Sequence, residues 1–336
     1  MALNVLLDQA LSHQCIALDA NPDDPNLLGN IMVLLTMKAE DGVASLAAAA
    51  IRLVGGSPPV RPDMNNNPPE ASWHLAGRAG DPALEDFISP KEAPAGLRGM
   101  LRAVEEPVAR LLGATAKQMN LSKDARLDRK HPLSQVVSQL APAFGLKQEP
   151  ALYVGSGADL RVTPGSPPIV LVPQSATAIE DEGELAFVAS TSLVICRSGL
   201  ALATLLPEER LRSLIAALVR MSIPSATTPP DISAADIERE IASLKEVVPE
   251  RAIDQIQPLA FDCNAALEHP NVRQSILTIA HRAGFVSAGS LTSAIAGLRA
   301  IGGQPAGPLA QLPGAGRLLA FVFSKDHLEV RQHMGL

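Results

Sequence analysis

The 336-residue chain is poor in sulfur and in rings. Its three cysteines, Cys15, Cys196 and Cys263, are odd in number, far apart and in no C-x-x-C pair. That excludes a disulfide framework and a zinc ribbon, and makes the cytoplasm, a reducing compartment, the expected setting. One Trp, one Tyr and seven Phe leave the core to Leu, Ile, Val and Ala, and give no material for base-stacking platforms. Basic charge is also short. Lys and Arg number 28 against 35 Asp and Glu, a net charge of −7, so nothing marks nucleic acid or anionic lipid as a partner.

Other absences narrow the chemistry. There is no G-x-x-x-x-G-K-[ST] and no G-x-S-x-G, and the seven histidines never pair at i, i+4, so no zinc helix of the usual kind is present. Gly155-Ser156-Gly157 follows a strand-like run, but Leu160 stands where a dinucleotide turn needs its third glycine. A hairpin turn is the expected reading. The start, MALNVLLDQALSHQ, has no positive n-region and is not expected to be a signal peptide. One apolar stretch, Leu185 to Leu206, is long enough to span a bilayer. It carries Arg197 near its middle, at a cost of at least about 2.5 kcal/mol in lipid, so a buried helix is expected and no membrane span.

What is present has a globular balance, with 47% hydrophobic and 19% charged residues. Leu7, Leu11, Cys15 and Leu18 fall on one helical face, and Asn21-Pro22-Asp23-Asp24-Pro25 supplies a break and a cap. Residues 1–54 are expected to be a helical hairpin or a partial tetratricopeptide-like segment. Residues 55–83 form a Pro/Gly/Asn-rich linker in which Trp73 and His74 are expected to anchor the loop. Residues 84–336 make a further domain. Helices are expected at 91–118, 131–145, 184–206, 207–220, 234–247, 249–267, 272–283 and 290–301, with a strand or helix entry at 318–323 and a last helix from Lys325. Short strands are expected at 151–154, 160–163 and 168–172, separated by Gly/Pro turns. The fold class is therefore α+β, mostly helical, with a small sheet.

Residues 131–200, HPLSQVVSQLAPAFGLKQEPALYV and then PPIVLVPQSATAIEDEGELAFVASTSLVICRSGL, resemble the soluble core of HtpX-type zinc metallopeptidases. The matching features are a helix ending in a Gly-Leu turn (Gly145-Leu146), a strand pair, an apolar strand, and a Glu-Leu pair (Glu184-Leu185) opening the active helix. The resemblance implies a zincin-like domain. Where that family has His-Glu-x-x-His, this chain has Thr191, Ser192, Leu193, Val194 and Ile195, followed by Cys196-Arg197-Ser198-Gly199. The family's third ligand is a glutamate with an aspartate four residues on. TIAHRAGFVSAGSL (278–291) looks like that helix, with Leu277 and His281 in those two places. Thr191, Ile195 and Leu277 cannot supply the donors that zinc requires, so no metal and no cofactor are expected. LPEERLRSLIAALVR and the ending FSKDHLEVRQHMGL are similar to bacterial tetratricopeptide proteins with a degenerate peptidase-like C-terminal region.

The resemblance implies a non-catalytic, pseudopeptidase-like binding or scaffold protein with a protein or peptide partner. A strand edge at Ile169, Leu171 and Pro173 is the candidate binding element, since extended peptides add to such edges. Two alternatives stand beside it. One is a hydrolase with replacement chemistry, in which a Ser, Thr or Cys hydroxyl or thiol works with His281. The other is a purely structural helical domain. The resemblance has a direct test. Zinc should rescue the folding of the triple variant Thr191→His, Ile195→His, Leu277→Glu, and not that of Leu277→Glu alone, in thermal melts with and without the metal.

Overall fold

The computed structural model describes residues 2–59, 78–115, 117–227, 229–304 and 306–335; Trp73 and His74 lie outside them. The chain forms a mostly helical α+β structure that divides into two compact units. The first comprises Met1–Ile88, Pro173–Thr191 and His281–Leu336, the second Ser89–Val172 and Ser192–Ala280. These boundaries differ from the expected succession of 1–54, 55–83 and 84–336.

In the first unit, α1 (Ala2–Ala20), α2 (Pro25–Met37) and α3 (Asp41–Leu53) follow one another and pack in sequence. The start of α2 is fixed by Asp24, whose carboxylate accepts the Asn26 N–H at 2.8 Å, with Pro25 at the first helical position. Leu7, Leu11, Cys15 and Leu18 are buried as their spacing predicts. Their helix also packs on α15 (Ala315–Val322). The contact point is Gly316, where a β-carbon would collide with the Asp19 carbonyl oxygen. Asp23 ties the same corner down by accepting the Leu309 and Ala310 N–H groups at 2.7 Å. The N-terminal helices are thus built into the first unit with α14 (Leu291–Ile301), α15 and α16 (Lys325–Met334). The run 318–323, open between strand and helix in the sequence, is helical.

The second unit holds the sheet. Strands β1 (Ala151–Val154), β2 (Arg161–Thr163) and β3 (Ile169–Val172) run in the order β1-β3-β2, with β1 parallel and β2 antiparallel to β3. The expected hairpin at Gly155–Gly157 does not form, because β3 lies between β1 and β2. Ile-Val-Leu-Val is apolar without alternation, the pattern of a strand covered on both faces, and it takes the centre. For the same reason Ile169 and Leu171 are not on an edge, and Pro173 caps the short 3₁₀ turn that follows.

The first unit also holds α4 (Glu85–Ile88), which packs on α16, and the second holds α5 (Ala95–Leu111) and α6 (Pro132–Leu140). The turn after α6 closes on Gly145 at φ +69°, with Leu146 N–H donating to the Ala141 carbonyl. The apolar stretch from Leu185 is two helices, not one. α7 (Glu182–Ser198) stops at Gly199, whose φ of +71° favours glycine, and α8 (Ala201–Leu205) follows. The other helices are α9 (Glu208–Ser222), α10 (Ala234–Val247), α11 (Glu250–Ile256), α12 (Ala260–Ala266) and α13 (Val272–Ala288). The single helix expected at 249–267 is broken by a 3₁₀ turn at Gln257–Leu259, where Pro258 cannot continue the ladder. Among the described residues no helix is long and apolar enough to cross a membrane.

The core of the first unit also buries a histidine. His327 Nδ1 lies 2.6 Å from the Val322 carbonyl oxygen, and its ring sits edge-on to Phe285 with centroids 5.1 Å apart. Burial, aided by the Arg331 charge, lowers its pKa to about 4 against the opposing pull of that carbonyl. The folded chain therefore holds His327 neutral where the unfolded chain, with an ordinary value near 6.5, is protonated. Folding stability is expected to be full above about pH 6.5 and to fall by up to a few kcal/mol as the pH drops to about 4. Denaturant titrations across this range check it, and His327→Gln should flatten the slope while lowering stability throughout.

Candidate functional site

The helix expected to carry the degenerate catalytic positions begins where Asp181 accepts the Glu184 N–H at 2.9 Å. In the first unit its side chains Phe187 and Thr191, one turn apart, meet the part of α13 that begins at His281. Phe187 is fully buried. Its ring fits against two glycines on different helices, Gly284 of α13 and Gly297 of α14. A β-carbon at Gly284 would come within 2.9 Å of the ring and 2.5 Å of Thr191 Oγ1; one at Gly297 would come within 2.7 Å of the ring. The His281 ring stacks on Phe187, with centroids 6.4 Å apart and planes inclined by 27°. Gly183, at the start of α7, allows a third close approach, since a β-carbon there would lie 2.8 Å from Ser293. The helices have come together as far as their backbones permit.

Thr191 and His281 are thus in one unit, while Ile195 and Leu277 belong to the other. Ser190, Thr191 and Ser192 are sealed from solvent, and His281 is 7% exposed. Ile195 is buried. Leu277 is only half-buried, and Ile276 and Ile279 beside it take the fully buried face. Leu277 therefore does not lie in a sealed pocket. Leu277→Ala should cost less than the 2–5 kcal/mol of a fully buried leucine, and a glutamate there has a route to water. Burial, reinforced by Glu105, pushes the Cys196 thiol well above its ordinary pKa, which disfavours a nucleophilic thiolate. Among the described residues no three His, Cys, Asp or Glu side chains could hold a metal ion.

The sheet of the second unit does not offer the open edge expected for a peptide. On the β1 side, Leu127 N–H donates to the Leu152 carbonyl at 3.0 Å, and Arg126 bridges Tyr153. On the β2 side, Thr204 Oγ1 accepts the Val162 N–H at 2.9 Å and donates to the Ala201 carbonyl at 2.7 Å. The Val162 carbonyl lies 3.4 Å from the same hydroxyl. Grooves lie elsewhere in this unit. A groove of about 540 Å³, lined by Pro229, Pro230, Asn264 and Glu268 among others, adjoins one of about 350 Å³ that includes Phe261, which is 81% exposed. A third groove, of about 570 Å³, runs between α5 and the α10–α11 junction. The sequence reading missed it, although Arg102, Glu106 and Arg110 recur at four-residue spacing on one helical face and Pro107 interrupts the helix there.

The glycine contacts have a test with opposite signs at two positions. Gly284→Ala should destabilise the fold by about 1–3 kcal/mol, because Phe187 and Thr191 leave no room for the methyl group. Gly29→Ala, on α2 with nothing within 4 Å of the new carbon, should stabilise it by about 0.5–1 kcal/mol through helix propensity. Denaturant unfolding of the two variants measures both. Set against known proteins, the chain matches no family model, no curated protein and no solved structure.

Proposed function

We propose that the chain is a non-catalytic binding or scaffold protein. It is built on the plan of an HtpX-type metallopeptidase core, with the former catalytic helices turned into structural packing and a protein or peptide held on its surface. The observation that carries this reading is the seating of Phe187 between Gly284 and Gly297 beside Thr191. The resemblance places a zinc ligand at Thr191, and a working metal site needs an open position for water or substrate there. This side chain lies in close-packed interior instead.

Three further observations support the reading. The element order, from α6 through the Gly145-Leu146 turn and three strands to α7, is the order the resemblance implies. Thr191, Ile195 and Leu277 supply neither nitrogen, sulfur nor carboxylate to a metal. The three cysteines are free thiols, which suits the cytoplasm. On this reading α1–α3 are the remnant of a repeat-like segment, and the grooves of the second unit are the binding surfaces.

The test is an incubation with unfolded casein, with added zinc and with chelator, followed by intact mass spectrometry. Casein should remain whole in every condition, and excess zinc should leave the thermal midpoint of the protein unmoved. Turnover that disappears in His281→Gln or Thr191→Val would establish replacement chemistry and overturn the proposal.

A further inference from the structure

The edges of the small sheet are closed, but one of its faces is not. Arg126 bridges Tyr153, Tyr153 pairs with Leu171, and Leu171 pairs with Arg161. Residues directly opposite one another put their side chains on the same face of a sheet. Arg126, Tyr153, Leu171 and Arg161 therefore form one row across the bridging segment and the three strands. The neighbouring row, Leu152, Val170 and Val162, is buried. This row is open: both arginines are exposed, and Tyr153 and Leu171 are half-buried. Leu171 is the one residue of the central strand that is not buried.

A second observation concerns the two glycines whose expected hairpin does not form. A β-carbon at Gly155 would lie 3.3 Å from Leu171 Cβ, and one at Gly157 would lie 3.8 Å from the Arg161 guanidinium. The turn after β1 thus runs beside the row. With glycine at both places it brings no side chain to cover Leu171 or Arg161, and the row stays bare.

The row also carries charge. Arg126 belongs to a segment, residues 123–130, with four cations and two carboxylates, on a chain whose net charge is −7. Asp128 is turned to its own backbone, where it accepts the Lys130 N–H at 2.7 Å. Lys123, Arg126, Arg129, Lys130 and Arg161 are all exposed, and none has an ion-pair partner among the described residues. Arg126 and Arg161 stand three strand spacings apart, roughly 14 Å, with the tyrosine ring and Leu171 between them. A partner that fits is anionic at intervals, with flat apolar groups in between. An acidic peptide brings carboxylates and leaves the ring unused. A duplex brings phosphates, but its bases are hidden in the stack. An unpaired strand brings both: guanidinium matches phosphate in shape, and a base lies on a tyrosine ring.

We propose that this face of the sheet binds a short stretch of single-stranded nucleic acid, with a base against Tyr153 and phosphates on Arg126 and Arg161. The proposal goes beyond the scaffold reading and does not depend on it. A chain poor in rings and negative overall has no row of stacking platforms, yet here its only tyrosine is set between two unpaired arginines. The row addresses base and phosphate and not the sugar, so RNA and DNA are expected to bind alike.

The experiment uses fluorescein-labelled dodecamers of oligouridine and oligothymidine, the oligothymidine–oligoadenosine duplex, and a poly-glutamate peptide as competitor, with the full-length chain. Both single strands should bind by fluorescence anisotropy at low salt, and the duplex about tenfold more weakly or worse. Tyr153→Leu should weaken binding about tenfold, whereas Tyr153→Phe should bind normally, because stacking uses the ring and not the hydroxyl. Affinity should fall with added salt, and the slope of log affinity against log salt should shrink by about 0.7 in each of Arg126→Gln and Arg161→Gln, one phosphate contact apiece. Arg239→Glu, on another helix, should bind normally. Thermal melts of each variant report the fold; if Tyr153→Leu does not fold, the two salt slopes decide. Absence of binding, equal binding of duplex and single strand, a folded Tyr153→Leu that binds like the parent, or unchanged slopes in both arginine variants would each overturn the proposal. Full displacement of the oligonucleotide by poly-glutamate at the same concentration of charge would assign the surface to an acidic polypeptide and overturn it as well.

Discussion

The first unit depends on one aromatic ring with nowhere else to go. Phe187 sits where three helices converge, and it fits because Gly284 and Gly297 present bare backbone to its two sides. A buried phenyl ring removes a large apolar area from water. In a chain with only seven Phe, the ring fixes how close α7, α13 and α14 approach. Thr191, His281 and Ser293 are placed by that approach. The burial of Thr191 and His281 follows from how tightly the helices close, not from any chemistry of their own. This is why Thr191 lies in close-packed interior, with no solvent exposure.

The second unit is organised by small polar devices around an apolar strand. Glu208 accepts the Val272 and Arg273 N–H groups at 2.8 and 2.9 Å and so serves as the cap of α13 from a distant part of the sequence. Arg212 donates to Asp231 at 2.6 Å and to the Leu267 carbonyl at 2.9 Å, which fastens the Pro-rich loop before α10. Ser233 caps α10 itself. The Arg212 contact holds Asp231 in the wall of the groove that adjoins Phe261.

Much of this was legible in the sequence where the signal is local. The helix at 234–247 has a serine cap and a clean apolar stripe, and it forms over those residues. The three strands were each placed to within a residue. What could not be read is decided by distant partners. The order β1-β3-β2 depends on pairing across the sheet, which the turn residues at 155–157 do not encode. The break at Gly199 was hidden inside an apolar run, because a positive φ leaves no trace in hydropathy. Leu277 and Ile276 are adjacent apolar residues, and only the tilt of α13 decides which one is fully covered. Gly284 and Gly297 carried no functional pattern, since their meaning lies in a ring on another helix. The groove on α5 was half legible: the Arg102, Glu106, Arg110 stripe was visible, but not the α11 wall that faces it.

Thr204 has a consequence for how this molecule behaves in company. A short sheet with one uncovered border invites the border of another copy, and stacked sheets of that kind grow into aggregates. Here one hydroxyl takes up the outward N–H of Val162 and lies beside its carbonyl, and one turn of helix stands over the strand. The chain is guarded against polymerising through β2 by a single oxygen atom.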